Sequence, residues 1–273
     1  MYVVAILELG TSVEAEAAAL AADLGSTAYE QRLHLVAGLP AVVLSTADPA
    51  RARALLRSLR ARGHGALAID AAAVVSSGDM VPLRRGRLEP GALAAEDPAA
   101  PGIPGEPATV VERLPFDDVL SLIRATHRQR IEAKVEVTER KFGAGRALIS
   151  GGLVTSKTVT REETRINNER AEVLYIFRRS GERPWLLREQ SANYGWLGSK
   201  LAPSSLQNFT ATVSLLRERA PAAVYDERLT GPRRQIHFAG SDAASPDPAA
   251  DLLAHLLALW ASKSSTLAGG GSP

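Results

Sequence analysis

Three polar residues in the middle of the chain have the types and spacing needed for metal-assisted hydrolysis. Glu132 and Lys134 stand two positions apart on a predicted strand, and Asp118 lies upstream, next to Asp117. Two carboxylates can hold a magnesium ion while a lysine steadies the attacking water. The same side chains also fit the solvated face of an alternating strand, where charges are expected anyway. We prefer the solvated face and keep Asp118, Glu132 and Lys134 as an alternative catalytic set.

A second group of candidates is cationic. Arg53, Arg57 and Arg60 recur at i, i+4 and i+7 of a predicted helix and so form one basic stripe. Such a stripe can bind an acidic protein surface or phosphates, although a solvated helix face is the ordinary explanation. No aromatic residue interleaves with the stripe, which disfavours a base-stacking platform for nucleic acid.

Aromatic residues are scarce in this chain and are concentrated in one region. Tyr194 and Trp196 flank Gly195 in a predicted loop that continues to Gly198. Aromatic side chains between loop glycines have little reason to be core, and exposed aromatic anchors are common in binding sites. We therefore predict that Tyr194 and Trp196 contact a partner or a ligand.

A block of β-forming sequence from Gln129 to Tyr194 must position most of these candidates. Residues 130–139 alternate apolar and polar side chains, as a half-buried antiparallel strand requires. Residues 172–177 are strongly β-prone, and the Gly and Asn turns between short strands indicate an antiparallel meander. A helix is predicted just before this block, over residues 115–126, because apolar residues recur there at i, i+3, i+4 and i+7.

The N-terminal part of the chain predicts the order strand, helix, helix, strand, helix, strand. Ser12 is a plausible N-cap of the first helix, and Gly25 is placed to end it. Thr27 can cap a second, short helix. The pair Asp48–Pro49 is a typical start for the third helix, with proline at the first helical position.

Within this part, residues 25–40 form a short helix that leads to a proline. Residues 48–63 then predict a helix that begins at Asp48–Pro49 and ends in glycine. Over about residues 2 to 70 the pattern resembles the C-terminal domain of the ribosomal stalk protein, whose compact fold is shared by the Clp-protease adaptor. The stalk domain has a lysine-rich surface, whereas the first two helices here contain no lysine, and the adaptor's acidic pocket is not recognisable. The resemblance therefore implies a small protein-binding module without a ribosomal role.

Composition divides the chain further. Residues 1–75 form the predicted small domain, and residues 76–109, rich in proline and glycine, predict a linker that is not packed. Residues 110–230 predict an antiparallel sheet domain with flanking helices. Residues 231–273 predict a loop, an apolar helix and a frayed tail. The helix at 248–262 is apolar nearly all round, so we expect it to be buried in its own domain or, alternatively, in a homodimer.

Bulk properties exclude several functional classes. The absence of cysteine rules out disulfides, thiol catalysis and cysteine-based metal sites, and the five histidines show no metal-ligand spacing. We therefore expect no metal and no cofactor. A net charge of +2 gives no general reason to expect a nucleic-acid partner. No uncharged apolar stretch approaches the roughly 20 residues that span a bilayer, so we expect a cytoplasmic protein without a transmembrane segment.

Taken together, the sequence predicts an α+β protein: a stalk-like or adaptor-like module, a proline-rich linker, and a meander sheet covered by helices. We expect a non-enzymatic protein-interaction function, as an adaptor or scaffold with a protein partner. One alternative is a metal-dependent nuclease or other enzyme that uses Glu132 and Lys134, since Asp…Glu-x-Lys resembles the metal site of one large nuclease class. A second alternative is a sheet domain that binds a lipid or another ligand.

Overall fold

The computed structural model describes the backbone of residues 1–96, 109–142, 156–231, 245 and 247–269, and their side chains except at 128–142, 156–169 and 264–269. The protein divides into two compact units, one formed by Met1–His127 with Ala171–Pro273 and the other by Arg128–Arg170. Helices occur together with antiparallel and mixed sheets, which confirms the α+β class. No helix of the described residues is long and apolar enough to cross a membrane.

The predicted order of the six N-terminal elements is confirmed. They are β1 (Tyr2–Glu8), α1 (Val13–Leu24), α2 (Ala28–Val36), β2 (Ala41–Thr46), α3 (Pro49–Ala61) and β3 (Gly65–Asp70). Strand β1 lies between β2 and β3 and is antiparallel to both. The side chains of Ser12, Thr27 and Asp48 each accept a hydrogen bond from a backbone N–H of the following helix. Gly25, with φ of 69°, ends α1 in the left-handed conformation that favours glycine.

The rest of the described chain contributes two further sheets and two α-helices, besides short 3-10 helices. Strands β5 (Gly86–Leu88), β6 (Ala92–Glu96) and β7 (Val110–Pro115) form a small antiparallel sheet. A central sheet has the order β11 (Val224–Leu229), β8 (Val119–Phe142), β9 (Ser156–Arg178), β10 (Trp185–Arg188) and β4 (Val81–Pro82). In it β11 is parallel to β8, β10 is antiparallel to β9, and β4 is parallel to β10. The helices are α4 (Ser205–Arg219) and α5 (Pro248–Gly269).

Residues 76–96 differ from the unpacked linker that composition predicted. They contribute β4 to the edge of the central sheet and β5 and β6 to the small sheet, and Val81, Leu83 and Leu93 are buried. Pro82 is compatible with β4 because the strand is two residues long and lies at a sheet edge. The second half of the predicted linker, from 97 to 108, lies outside the described residues. Over its described half, apolar side chains between the prolines bring the segment into the core.

The helix predicted over 115–126 is wrong. A 3-10 turn at Phe116–Asp118 leads directly into β8. Val119 and Leu122 are buried in one hydrophobic cluster, whereas Ile123 and Ala125 are buried in another. A strand that is covered on both faces carries a nearly continuous apolar run, which periodicity does not separate from a buried helix.

Helix α5 lies between the N-terminal sheet and the central sheet. Val3, Ala5 and Leu7 of β1 and Val173 and Tyr175 of β9 belong to one cluster with the apolar residues of α5. The opposite face of the N-terminal sheet packs on α1, α2 and α3, and the opposite face of the central sheet packs on α4. Burial between two sheets accounts for the all-round apolar character of α5 within a single chain. The predicted self-burial of this helix is therefore confirmed.

A buried carboxylate fastens α5 to its surroundings. Asp251, 1% exposed, accepts hydrogen bonds from the Tyr175 hydroxyl at 2.6 Å, the Ser77 backbone N–H at 2.8 Å and the Ser245 hydroxyl at 2.6 Å. His127 Nε2 lies 2.5 Å from the Tyr175 hydroxyl oxygen. Because that hydroxyl donates to Asp251, the histidine N–H donates to it in turn. The network joins β8, β9, α5 and the segment after β3.

His255, one turn further along α5, makes a second link to the same segment. Its Nε2 accepts from the Val75 backbone N–H at 3.1 Å, and its Nδ1 lies 2.8 Å from the Asp251 carbonyl oxygen. This arrangement requires the neutral ring with the proton on Nδ1. Burial lowers the pKa of His255 despite the opposing contribution of Asp251, in agreement with a neutral ring.

Replacing Tyr175 by phenylalanine tests this network. The change removes one donor to Asp251 and the hydroxyl that His127 contacts, so the free energy of unfolding is expected to fall by about 1–3 kcal/mol. Urea denaturation measures the loss. Tyr29→Phe is the matched control, because Tyr29 is 68% exposed and its hydroxyl reaches water; it should change the free energy by less than about 0.5 kcal/mol. Equal effects of the two changes would contradict the assigned role of the network.

Candidate functional site

The two predicted aromatic contacts, Tyr194 and Trp196, are buried. Tyr194 is 2% exposed and Trp196 is 7% exposed, so the prediction that they present aromatic surface to solvent is wrong. The Tyr194 hydroxyl donates to the Glu189 carbonyl at 2.7 Å, and the Trp196 indole N–H donates to the Thr212 hydroxyl at 3.0 Å. Burial raises the pKa of the Tyr194 hydroxyl well above its usual value, which keeps it a neutral donor. Both residues anchor the 3-10 helix Gly195–Lys200 to the core.

The arginine stripe lies on the exposed side of α3. Arg53, Arg57 and Arg60 are all exposed, as the sequence predicted. Arg53 Nε donates to the Pro49 carbonyl one turn earlier at 3.0 Å. Arg60 donates from Nε and Nη2 to the Ala66 carbonyl of β3 at 3.2 and 3.1 Å. The Arg60 guanidinium therefore connects α3 to the sheet, and its presence on the stripe does not require a partner.

Asp118, from the alternative catalytic set, takes part in a charge cluster. Its carboxylate accepts from Arg178 Nε at 2.6 Å and from the Ser180 backbone N–H and hydroxyl at 2.8 and 2.9 Å. Arg178 also pairs with Glu112 and Glu182. Partial burial would raise the pKa of Asp118, but these hydrogen bonds outweigh it and hold the pKa below its ordinary value.

Of the alternative catalytic set, only the side chain of Asp118 lies within the described residues. The side chains of Glu132 and Lys134 lie outside the described residues. Within the described part of the chain, no three carboxylate or imidazole side chains converge in a way that could hold a metal ion.

Helix α2 carries the most concentrated exposed apolar surface of the described chain. In the described part of the chain, eight large apolar side chains are exposed. Three of them, Tyr29, Leu33 and Val36, lie on this nine-residue helix. They are 68%, 45% and 63% exposed. Their spacing of i, i+4 and i+7 places them on one face. Exposed apolar side chains that occur singly are normal, but a contiguous group marks an interaction surface. We call these three residues the α2 face.

Helix α2 is held in place by capping hydrogen bonds and by contacts of the side opposite the α2 face. Thr27 and Glu30 form a capping box in which each side chain receives the backbone N–H of the other residue, at 3.2 and 3.0 Å. The hydrogen bond from the Thr27 backbone holds the pKa of Glu30 below its ordinary value. Gln31 Nε2 donates to the Ser26 hydroxyl at 2.9 Å, and Leu35 is buried against the N-terminal sheet. The α2 face therefore stands on a helix whose orientation is set by its own capping and core contacts.

The polar surroundings of the α2 face are close to neutral. Glu30 is the acidic residue of the helix, Arg32 is its one arginine, and His34 lies in its last turn. Arg32 Nε lies 3.7 Å from Glu14 on α1. Opposite charges beside an apolar face provide a polar rim without a strong field of either sign. Such a rim with an apolar centre is the common anatomy of protein–protein interfaces.

Sequence interpretation missed the α2 face although the signal was present. Leu35 is buried, whereas Tyr29, Leu33 and Val36 form a separate apolar stripe on the helix. Which side is buried depends on the packing of α2 against α1 and β2, and this packing is not visible in the local sequence.

Comparison of this chain with family models, curated proteins and solved structures found no match.

The charge cluster at Asp118 predicts a pH-dependent stability difference. Because its folded-state pKa lies below the ordinary 3.8, its contribution is present above that pH and is lost as the pH falls through the folded-state pKa. Asp118→Asn should therefore lower the free energy of unfolding by about 1–3 kcal/mol at neutral pH and progressively less below about pH 4. Urea denaturation at several pH values measures this difference.

Asp117→Asn is the matched control for this prediction, since Asp117 is adjacent and exposed. It is expected to change stability by less than about 0.5 kcal/mol at every pH. A loss for Asp118→Asn that stays constant between pH 7 and pH 3 would contradict the ionic origin of the contribution.

Proposed function

We propose that this chain is a non-enzymatic protein-interaction protein, an adaptor or scaffold, and that the α2 face is its contact surface. The single observation that supports this function is the exposed row of Tyr29, Leu33 and Val36 on a capped and anchored helix. The order of the N-terminal elements is compatible with the resemblance to small protein-binding modules of the stalk and adaptor type.

The occupant that fits best is an amphipathic helix of a partner protein. Side chains at i and i+4 form a ridge that packs into the groove between ridges on another helix. Helix α2, with nine residues, is about 14 Å long at 1.5 Å per residue, which suits a partner helix of two to three turns. Recognition would resemble other helix-mediated contacts, in which a few apolar anchors contribute most of the binding energy.

The charges beside the α2 face favour a protein over a lipid surface. Helices that lie on anionic membranes carry several basic residues on their polar face. Helix α2 contains no lysine, its one arginine is Arg32, and Glu30 offsets that charge. A neutral polar rim therefore supplies no attraction to an anionic membrane.

Photo-crosslinking tests this proposal in the full chain. A photoreactive amino acid at position 33 is expected to give one discrete product with a second protein, and the crosslinked peptide should map to an amphipathic helical segment. The same amino acid at position 57, exposed on α3, serves as the control position. A product of equal yield from both positions, or no product from position 33, would overturn the proposal. A product containing lipid or a second copy of this chain would also overturn it.

Binding measured with the purified partner then gives the magnitude. Leu33→Ser should raise the dissociation constant about tenfold or more. Burying a leucine side chain contributes about 1.5–3 kcal/mol of binding free energy, and 1.4 kcal/mol corresponds to a factor of ten in affinity. Arg57→Ser should change it less than about twofold. Since Leu33 is exposed in the free protein, its replacement is expected to leave the folded structure intact. Equal affinities of the two variants would contradict the role of the α2 face.

A further inference from the structure

A small cleft opens where β1, β8 and β11 meet the middle of α5. Its volume is about 240 Å³. The walls combine apolar side chains, including Ile123 and Leu257, with polar groups. The polar groups that line it are Glu8, Ser121, Asp226, Arg228 and Trp260. None of these residues belongs to the α2 face, so the cleft is a separate feature.

The cation of the cleft is already paired. Arg228 Nε and Nη2 bind the Asp226 carboxylate, the latter at 2.6 Å, and Nη1 donates to the Leu7 carbonyl at 3.0 Å. All three guanidinium nitrogens are thus engaged by this chain. An incoming anion would have to compete with Asp226 for Arg228, which makes the cleft a poor site for a carboxylate or a phosphate.

The Glu8 carboxylate at the cleft can accept further hydrogen bonds. Glu8 Oε1 accepts from the Trp260 indole N–H at 3.1 Å, whereas Oε2 has no hydrogen-bond donor among the described residues. The Trp260 ring is seated directly on the backbone of Gly65, where a Cβ atom would stand 2.8 Å from the ring. The indole therefore holds Glu8 in place. Among the described residues of the lining, Asp226 and Arg228 offset each other, and Glu8 contributes one negative charge.

The buried Ser121 hydroxyl is a second, independent indication of a ligand site. Ser121 is 1% exposed, and its Oγ has no hydrogen-bond partner in the described structure. Ser121 lies on β8 opposite Val224 of β11 and lines the cleft. An unpaired buried hydroxyl costs free energy in the folded protein, and a polar ligand that pairs with it recovers that cost.

We propose that this cleft binds a small primary ammonium compound with a short apolar body. The ammonium group donates to Glu8 and to the Ser121 hydroxyl, which matches the negative charge of Glu8 and the unused acceptors. The apolar body lies against Ile123 and Leu257. The volume of about 240 Å³ restricts the apolar body to a short chain.

Titration of the full chain with three probes of equal carbon number tests this proposal. Hexylammonium, hexan-1-ol and hexanoate share an apolar body and differ in head-group charge. In two-dimensional amide NMR, hexylammonium is expected to shift the signals of Ser121, Asp226 and the Trp260 indole N–H in a saturable way. Hexan-1-ol should bind at least about tenfold more weakly, and hexanoate should not bind at these residues.

Two variants with a matched control assign the head-group contacts. Glu8→Gln and Ser121→Ala should each weaken hexylammonium binding about threefold to tenfold. Glu14→Gln removes an exposed carboxylate on α1 and should leave the affinity unchanged. Ser121→Ala has a second readout in the free protein, since deleting an unpaired hydroxyl should leave the melting temperature unchanged or raise it.

The proposal is overturned if hexylammonium causes no saturable shift at the cleft residues. It is also overturned if hexan-1-ol or hexanoate binds as tightly as hexylammonium, or if the Glu8→Gln variant binds hexylammonium with wild-type affinity. A marked fall in melting temperature for Ser121→Ala would show that the hydroxyl has a structural partner in solution, and it would also count against the site.

Discussion

The buried carboxylate of Asp251 is the constraint on which the arrangement of layers depends. A carboxylate inside a hydrophobic layer is tolerated only where several donors replace water. Here one hydroxyl comes from the central sheet, through Tyr175, and one backbone N–H comes from Ser77, in the segment after β3. Because these donors belong to different parts of the chain, the carboxylate is satisfied only when α5, the central sheet and that segment are all in place.

This constraint affects both sheets, because helix α5 packs against the N-terminal sheet and against the central sheet. Strand β1 faces α5 with Val3, Ala5 and Leu7 and faces the N-terminal helices with Val4 and Ile6. The N-terminal module is thus covered by α5, and residues 1–75 bury part of their surface against this helix. Short strands over 76–96 continue this connection into the central sheet.

The same layering determines which surfaces remain open for function. Helix α2 belongs to the outermost layer, with one side on the sheet and the α2 face toward solvent. The cleft at Ser121 lies where the layers of β1, β11 and α5 end side by side. The aromatic residues Tyr194 and Trp196 lie in the core beneath α4, where their polar atoms find partners within the chain. Contact with other molecules is therefore expected from the outer helix and the layer edge.

The sequence by itself determined the elements whose signals are local. The caps at Ser12, Thr27 and Asp48–Pro49 and the glycine at 25 defined three helices closely, because capping hydrogen bonds join residues within about four positions. The apolar character of α5 likewise predicted its burial. Only the tertiary structure decided that residues 119–126 form a strand, that Tyr194 and Trp196 are buried, and which side of α2 faces water. These outcomes depend on contacts between residues far apart in the chain, such as Trp196 with α4 or Ile123 with α5, and no local pattern encodes such contacts.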